Sequence, residues 1–444
     1  MRLTISDAFT SERLRDIYIS TFSTTKVSGV DNILPKHFLK HQSREIDIIV
    51  VKVFFQDYKF TRYKEKLISK GAKKLPRQIA IPTLRDRIVL KALNIYLQTN
   101  LSEKLALQVP QQITRDVKSA LYSMQYETVI KIDIQDFYPT INHNLLEQFL
   151  KTEGVEEEAI SLIRSAISTG FSKDEVSNIG VPQGLSVSNI LAEIYMIYID
   201  NILKGKEIFY RRYVDDVLIF CNKNEAQDIF EEYDRYTQEL GLKIHSLDAG
   251  ADKTIIRDIK QEFSYLGYVF NPQNKHESTS ISVRESSKKR FIDSIAALFT
   301  SYSNSGKKRS KGLLYWKLNL RITGCIAKNK CKGWLFFFSE MDDMLMLFEI
   351  DNMIKKLCLR NNVDYKGIKK LTRTIHEIRY NRWESSYFPN FDSYNYKNMK
   401  EVISFDKGIA MHKLRLSDSD IVSRFWSIVN REIRSMETDI SSFS

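Results

Sequence analysis

Residues 210–220 read YRRYVDDVLIF, two β-rich runs on either side of Val214-Asp215-Asp216. A tight hairpin would carry the adjacent acids at its tip, and neighbouring carboxylates repel unless a cation neutralises them. Taken alone, a turn with two aspartates is usually just a turn. A second stretch changes the weighing. KIDIQDFYPTI (131–141) sets Asp133 on an apolar strand, where an unpaired carboxylate is costly. Asp133 and Asp215 lie 82 residues apart, with helical sequence between them that can return the chain to the same sheet. Three carboxylates converging from two strands suit a pair of Mg²⁺ ions: hard oxygen donors, with phosphates and water completing each octahedron. That is phosphoryl transfer by positioning and electrostatics, without a covalent nucleophile.

The rest of the 444 residues sets limits on this reading. Lys and Arg number 67 against 55 Asp and Glu, a net charge of +12 that favours an anionic partner such as nucleic acid. Hydrophobic residues at 43% and charged residues at 27% exclude wholesale disorder and a polytopic membrane protein. There is no apolar run of 18 residues and no signal-peptide pattern at the start, so a cytoplasmic protein is expected. The four cysteines, at 221, 325, 331 and 358, do not make a disulfide framework or a zinc site. P-loop, dinucleotide, H-E-x-x-H and EF-hand patterns are also missing from the sequence.

Along the chain, residues 1 to about 125 read as mostly helical, with amphipathic stretches at Ile5–Phe22 and Asp86–Leu97. Lys59 to Lys91 holds eleven basic residues against only Glu65 and Asp86, with Tyr58, Phe60 and Tyr63 interleaved. A solvated face normally mixes signs, so a phosphate-facing surface is expected. From 126 to 270 short β-rich runs alternate with helices, an α+β block. NPQNKHESTS (271–280) and SYSNSGKKRS (301–310) look like loops, and helical patterning follows them. Lys307 to Lys332 carries nine basic residues and no acid.

Taken in order, these segments resemble the motifs of reverse transcriptases, over roughly residues 24 to 290. TTKVSGVDNILPKHF (24–38) resembles an N-terminal segment of group II intron and retron enzymes, and LPRQIAIPTLRDRIVLKAL (75–93) their fingers block. KIDIQDFYPTI is similar to the first palm motif, GVPQGLSVSNILAEIYM (180–196) to the second and YVDD to the third. GLKIHSLDAGADKT (241–254) resembles the fourth and FSYLGYVF (263–270) the fifth. Seven matches in the family's order make coincidence a poor explanation.

The resemblance implies roles residue by residue. Asp133, Asp215 and Asp216 would bind two Mg²⁺ ions, with Mn²⁺ as a substitute. Tyr138 would crowd a ribose 2′-hydroxyl, although a core aromatic beside Phe137 is the plainer reading. Gln183 and Gly184 would form a nucleotide- and template-positioning turn, the glycine allowing close approach to the nascent pair. Arg77 would contact the incoming triphosphate, while Arg85 and Arg87 could equally be an internal ion-pair set. Lys253 would protonate pyrophosphate, and the Leu266-Gly267 turn would be the primer grip.

The expected fold is therefore an α+β right-hand polymerase: fingers and N-terminal helices at 1–125, a palm with an antiparallel sheet at 126–270, a thumb at 271–345 and a helical C-terminal extension at 346–444. The basic stretch 307–332 would be a helical thumb segment on an A-form RNA·DNA duplex. The expected activity is RNA-directed DNA synthesis. RITGCIAKNKCKGWLFFFSEMDDMLMLFEID (321–351) resembles a block found after the palm in some bacterial antiviral reverse transcriptases of the unknown-group class, with the type 3, two-polymerase system as one candidate among them. That implies a dedicated noncoding RNA as template, with the RNA·DNA hybrid, DNA product and dNTPs as partners, and no membrane. A second polymerase or a homo-oligomer stays open as a further partner. Three alternatives remain: a retron or intron-type enzyme, template-independent or protein-primed DNA synthesis, and a silent RNA-binding scaffold. The scaffold reading has no physical need for clustered acids that repel phosphate. No ribonuclease H, nuclease or intron-maturase pattern accompanies the motifs.

Overall fold

The computed structural model describes residues 2–23, 25–69, 75–105, 108–172, 176–247, 253–272, 280–304 and 311–440. Most of the loops read at 271–280 and 301–310, the centre of 241–254, and Lys70, Lys73, Lys74, Lys307, Lys308 and Arg309 lie outside the described residues. The chain divides into two compact units, Met1–Leu107 with Thr128–Arg257, and Gln108–Glu127 with Asp258–Ser444. Counting only helices of ten residues or more, the first unit holds α1 (Gln42–Phe54) and α2 (Leu84–Leu101), then, after α3 (Pro110–Ser123) of the second unit, α4 (His143–Thr152), α5 (Glu157–Ser168), α6 (Ser188–Lys204) and α7 (Ala226–Glu239).

In the first unit, β1 (Lys64–Ile68) and β2 (Arg77–Ile81) form an antiparallel pair. A five-stranded sheet combines β3 (Thr128–Gln135), β4 (Phe209–Tyr213), β5 (Asp216–Cys221), β6 (Lys243–Ile244) and β7 (Ile255–Asp258). The order is β4-β5-β3-β6, with β7 also on β3, and the β3–β5, β4–β5 and β3–β6 pairs are antiparallel. This is the expected palm sheet. Its two central strands are buried at consecutive positions because they are covered on both faces, and β5 is apolar throughout from Val217 to Cys221. Val129, Ile130 and Ile132 on β3 and Val217 to Phe220 on β5 are fully buried, each side chain worth roughly 1.5–3 kcal/mol of burial.

The helix expected at Asp86–Leu97 extends to Leu84–Leu101, because its start is capped from outside that window. Thr83 accepts from the Asp86 backbone N–H and donates to the Asp86 carboxylate at 2.7 Å, a reciprocal cap of the first turn. Burial pushes the Asp86 pKa up, and hydrogen bonds from Thr83 and Tyr58 pull it back. α6 packs on α2, α4, α7 and β4, and buried Ile190, Leu191, Ile194, Tyr195 and Ile199 make it the central helix of the unit.

In the second unit, β8 (Phe263–Tyr265), β9 (Tyr268–Asn271) and β10 (Ser280–Val283) form an antiparallel sheet. The run FSYLGYVF is thus two strands around a two-residue turn. Leu266 and Gly267 have φ of 47° and 81°, the positive values that a type I′ hairpin needs at both positions. Helices α8 (Glu285–Asn304), α9 (Lys311–Thr323), α10 (Met344–Arg360), α11 (Leu371–Tyr380), α12 (Tyr396–Lys407) and α13 (Asp418–Ile440) complete the unit. α3 belongs here as well, through Arg115–Glu340 and Lys118–Asp342 ion pairs at 2.9 Å each.

The segment expected to be a basic helix ends at Gly324 (φ 66°), where a Cβ would meet the Lys332 carbonyl oxygen at 2.3 Å. A small hairpin, β11 (Cys325–Ala327) with β12 (Lys330–Lys332), follows. Its charges are answered by acids more than a hundred residues away on α13. Lys317 pairs with Glu432 at 2.9 Å, Lys332 with Glu437, and Arg321 with Asp439 at 2.6 Å with both side chains under a tenth exposed. The run has no acid in sequence but three of its cations, Lys317, Arg321 and Lys332, have acids in space, and its described part is a helix followed by a hairpin where one helical segment was expected.

Candidate active site

β4 and β5 meet at a two-residue turn, because Tyr213 and Asp216 are register partners with only Val214 and Asp215 between them. Val214 has φ 57°, a left-handed conformation that costs a β-branched residue about 1–2 kcal/mol. On the other side of β5, Asp216 lies directly opposite Asp133 of β3, and the Ile134 N–H donates to the Asp215 carbonyl at 3.3 Å. The sheet therefore sets Asp133 and Asp216 opposite one another, with Asp215 next to Asp216 in the turn.

Their electrostatics show the strain of that meeting. Burial pushes the Asp215 carboxyl up to about 6, and the Asp133 charge adds to this, while Arg77 and Lys253 pull it down. The Asp133 carboxylate accepts from the Lys253 ammonium at 2.8 Å, and His245 Nε2 stands 3.4 Å from the same oxygen. Lys253 Nζ and His245 Nε2 are 2.6 Å apart. Burial lowers the His245 pKa and the Lys253 charge lowers it further, so a neutral ring that accepts from the ammonium is the consistent state. Among the described residues no three acids, histidines or cysteines are grouped so that they could hold a metal ion as they stand. The donor set still fits a hard divalent cation: oxygen ligands on adjacent strands, one driven towards protonation by burial and a like charge, and one already holding an ammonium.

Tyr138 follows β3 in a one-turn helix, half-buried, with its hydroxyl donating to Asn189 Oδ1 at 3.0 Å. Its pKa is raised by burial and then by the charge of Asp215. The hydroxyl is thus within electrostatic reach of Asp215, and the ring also contacts Phe137, 5.7 Å between centroids. Arg77 lies on β2, and its charge is felt by both Tyr138 and Asp215. The β1–β2 register pairs Lys64 with Ile81, Lys66 with Ile79 and Ile68 with Arg77, so Lys64, Lys66 and Arg77 share one face of the hairpin. Arg85 instead pairs with Glu45, and Arg87 donates to the Pro82 and Val27 carbonyls, so these two hold structure.

The Pro-Gln-Gly turn touches β2. The Ala80 N–H donates to the Gln183 carbonyl at 2.7 Å, and at Gly184 (φ 103°) a Cβ would come within 2.6 Å of the Ala80 carbonyl oxygen. The close approach that requires glycine is made by the strand carrying Arg77. Leu266 and Gly267 belong to the second unit, where Leu266 is 1% exposed, so its side chain is core and only its backbone is at the turn.

Three site residues escape sequence reasoning. His245 sits alone in a polar stretch, yet β6 runs beside β3 with Ile244 opposite Ile134, and the His245 N–H donates to the Asp133 carbonyl at 3.0 Å. Asn189 looks like an ordinary polar helix residue. Arg212 is buried with Glu193 and Asp200 of α6. The usable signal was two acids within the apolar helix SNILAEIYMIYIDNILK, which demand a buried cation.

Residues 68–270, 203 of the 444 and so under half of the chain, match the family described as Reverse transcriptase (RNA-dependent DNA polymerase), and the chain carries a reverse transcriptase domain there. An uncharacterized 91 kDa protein in the cob intron of Schizosaccharomyces pombe is 29% identical over 172 residues, covering 36% of this chain and 21% of that protein. A putative COX1/OXI3 intron 2 protein of Saccharomyces cerevisiae is 22% identical over 209 residues, covering 33% of this chain and 24% of its own length. This chain thus spans less than a quarter of either relative. A solved structure of apo telomerase from Candida tropicalis, truncated from its C-terminal domain, aligns with a TM-score of 0.41 at 16% identity, over 51% of this chain and 55% of that one.

Proposed function

We propose that this chain is an RNA-directed DNA polymerase whose reacting centre is Asp133, Asp215 and Asp216. The observation that carries the reading is the direct opposition of Asp133 and Asp216 across β3 and β5, with Asp215 in the adjoining turn pushed up to about 6 by burial and then by the Asp133 charge. Such a concentration of negative charge opposes nucleic acid unless divalent ions join them. These three carboxylates would hold Mg²⁺, or Mn²⁺ in its place, which when bound acidifies a 3′-hydroxyl and neutralises a leaving pyrophosphate.

The protein's own groups supply the rest. Arg77, an always-charged planar donor on the same strand face as Lys64 and Lys66, binds triphosphate oxygens. The Gln183-Gly184 turn braces that strand through Ala80. Tyr138, fixed by Asn189, fills the space a ribose 2′-hydroxyl would need. Lys253 carries the proton that pyrophosphate takes up on leaving, with His245 beside it to receive or return one. In this reading 1–125 are fingers and N-terminal helices, 126–270 palm, 271–345 thumb and 346–444 a helical extension, with Leu266-Gly267 as the primer grip.

The likeness of 321–351 to antiviral reverse transcriptases supports a bacterial antiphage enzyme that copies a dedicated noncoding RNA in the cytoplasm, alone, as a homo-oligomer or with a second polymerase. No helix among the described residues is long and apolar enough to cross a membrane. The intron-borne names of the two fungal relatives support an intron-type enzyme as the second reading. Sequencing the RNA and DNA that copurify with the full chain tests both. One abundant noncoding RNA with complementary DNA is the expected result; intron RNA selects the second reading, and DNA without any complementary RNA overturns templated synthesis.

A further inference from the structure

Arg212 is a β4 residue whose side chain is 3% exposed. Each of its three nitrogens donates. Nε and Nη2 donate to the two Asp200 oxygens at 2.9 and 2.6 Å, Nη2 also reaches Glu193 at 2.7 Å, and Nη1 donates to the Val214 carbonyl at 2.9 Å. Asp200 is held in turn by the buried Tyr210 hydroxyl at 2.6 Å. Buried ion pairs contribute little net stability compared with apolar packing of the same volume. An apolar side chain, however, could not direct an N–H at a turn carbonyl. Val214 is the residue at φ 57°, immediately before Asp215, and such a conformation persists only where its surroundings over-determine it.

The far end of this clamp is α6. Glu193 is one turn beyond Asn189, which accepts from Tyr138, so these two lie on one face of the helix. We propose that Arg212 is a positioning residue for nucleotide addition: by tying the Val214 carbonyl to Glu193 and Asp200, it sets Asp215 against the same helix that sets Tyr138. The proposal rests on the polymerase reading for its kinetic consequence, but the clamp itself is measurable without activity.

The test uses the full chain with Arg212→Lys, which keeps the charge and loses the fork, and Glu193→Gln, which leaves Arg212 but loosens one anchor. Amide hydrogen exchange over 213–216 should quicken by about tenfold or more relative to β3 in Arg212→Lys, and less in Glu193→Gln. On an RNA-templated primer, kcat should fall by up to about 10²-fold in Arg212→Lys with KM for dNTP nearly unchanged, and ribonucleotide discrimination should weaken. If Arg212→Lys does not fold, Glu193→Gln decides. Unchanged hairpin exchange in a folded variant, or a rate loss no larger than the loss of folded protein, overturns the proposal. Activity that survives loss of Asp215 and Asp216 would instead overturn the polymerase site, leaving the exchange result to judge the clamp.

Discussion

The Lys253 ammonium lies 2.8 Å from the Asp133 carboxylate, so the cation that neutralises the first carboxylate of the site in this structure is one of the protein's own. A divalent ion at Asp133 has to compete with it. Lys253→Met should therefore tighten Mn²⁺ binding in the absence of nucleotide, read by electron paramagnetic resonance, while lowering kcat by about 10²-fold or more through loss of the proton donor. Unchanged Mn²⁺ affinity would mean that the pair does not govern access to Asp133.

Asp215 gives a stability test that needs no substrate. Its folded pKa of about 6 stands above the ordinary 3.8, so the folded state binds the proton more tightly than the unfolded chain does. Without metal, this group costs nothing below about pH 4, and its destabilisation grows between pH 4 and 6 and stays constant above. Asp215→Asn should raise the melting temperature at pH 7 by a few degrees, for a gain of the order of 1–3 kcal/mol, and give no gain at pH 4. Mg²⁺ should stabilise the wild type at pH 7 and stabilise the variant less. Equal melting curves at pH 7 would contradict the strained carboxylate.

Tyr138→Ala should raise incorporation of ribonucleotides relative to deoxyribonucleotides by about 10-fold or more, since the exclusion is steric. Tyr138→Phe loses only the hydrogen bond to Asn189 and should keep most of the discrimination. Competition between the two nucleotide types on one template reads both ratios.

Gly184→Ala places a Cβ where the Ala80 carbonyl oxygen stands at 2.6 Å, at a φ of 103°. The strain of about 1–3 kcal/mol should lower the melting temperature and, by displacing the strand of Arg77, raise KM for dNTP more than it lowers kcat. Wild-type KM in a folded variant would show that β2 does not take its position from this turn.

The sheet was legible because its signals are local: β-rich runs at β3 and β5, the latter apolar from Val217 to Cys221, and a two-residue turn carrying acids. The order of motifs, through the resemblance to reverse transcriptases, then pointed to the Gln183-Gly184 turn and to the strand of Arg77, which the structure places in contact. What was not legible depends on residues far apart in sequence. Arg212 looks like one of two strand arginines, and only α6 shows it buried against Glu193 and Asp200. His245 becomes a site residue through the pairing of β6 with β3. Lys317, Arg321 and Lys332 look unopposed until α13 brings Glu432, Glu437 and Asp439 to them. Sequence windows count charges that are neighbours along the chain, whereas neutralisation occurs between neighbours in space.

The most direct test of the central claim is single-nucleotide extension of a primer on an RNA template by the Asp215→Asn, Asp216→Asn double variant. Removing both charges removes the seat for the metals and relieves local repulsion, so the variant should fold at least as stably as the wild type and show no extension above background. Extension at near wild-type rate by the purified, folded variant would contradict the assignment of the site.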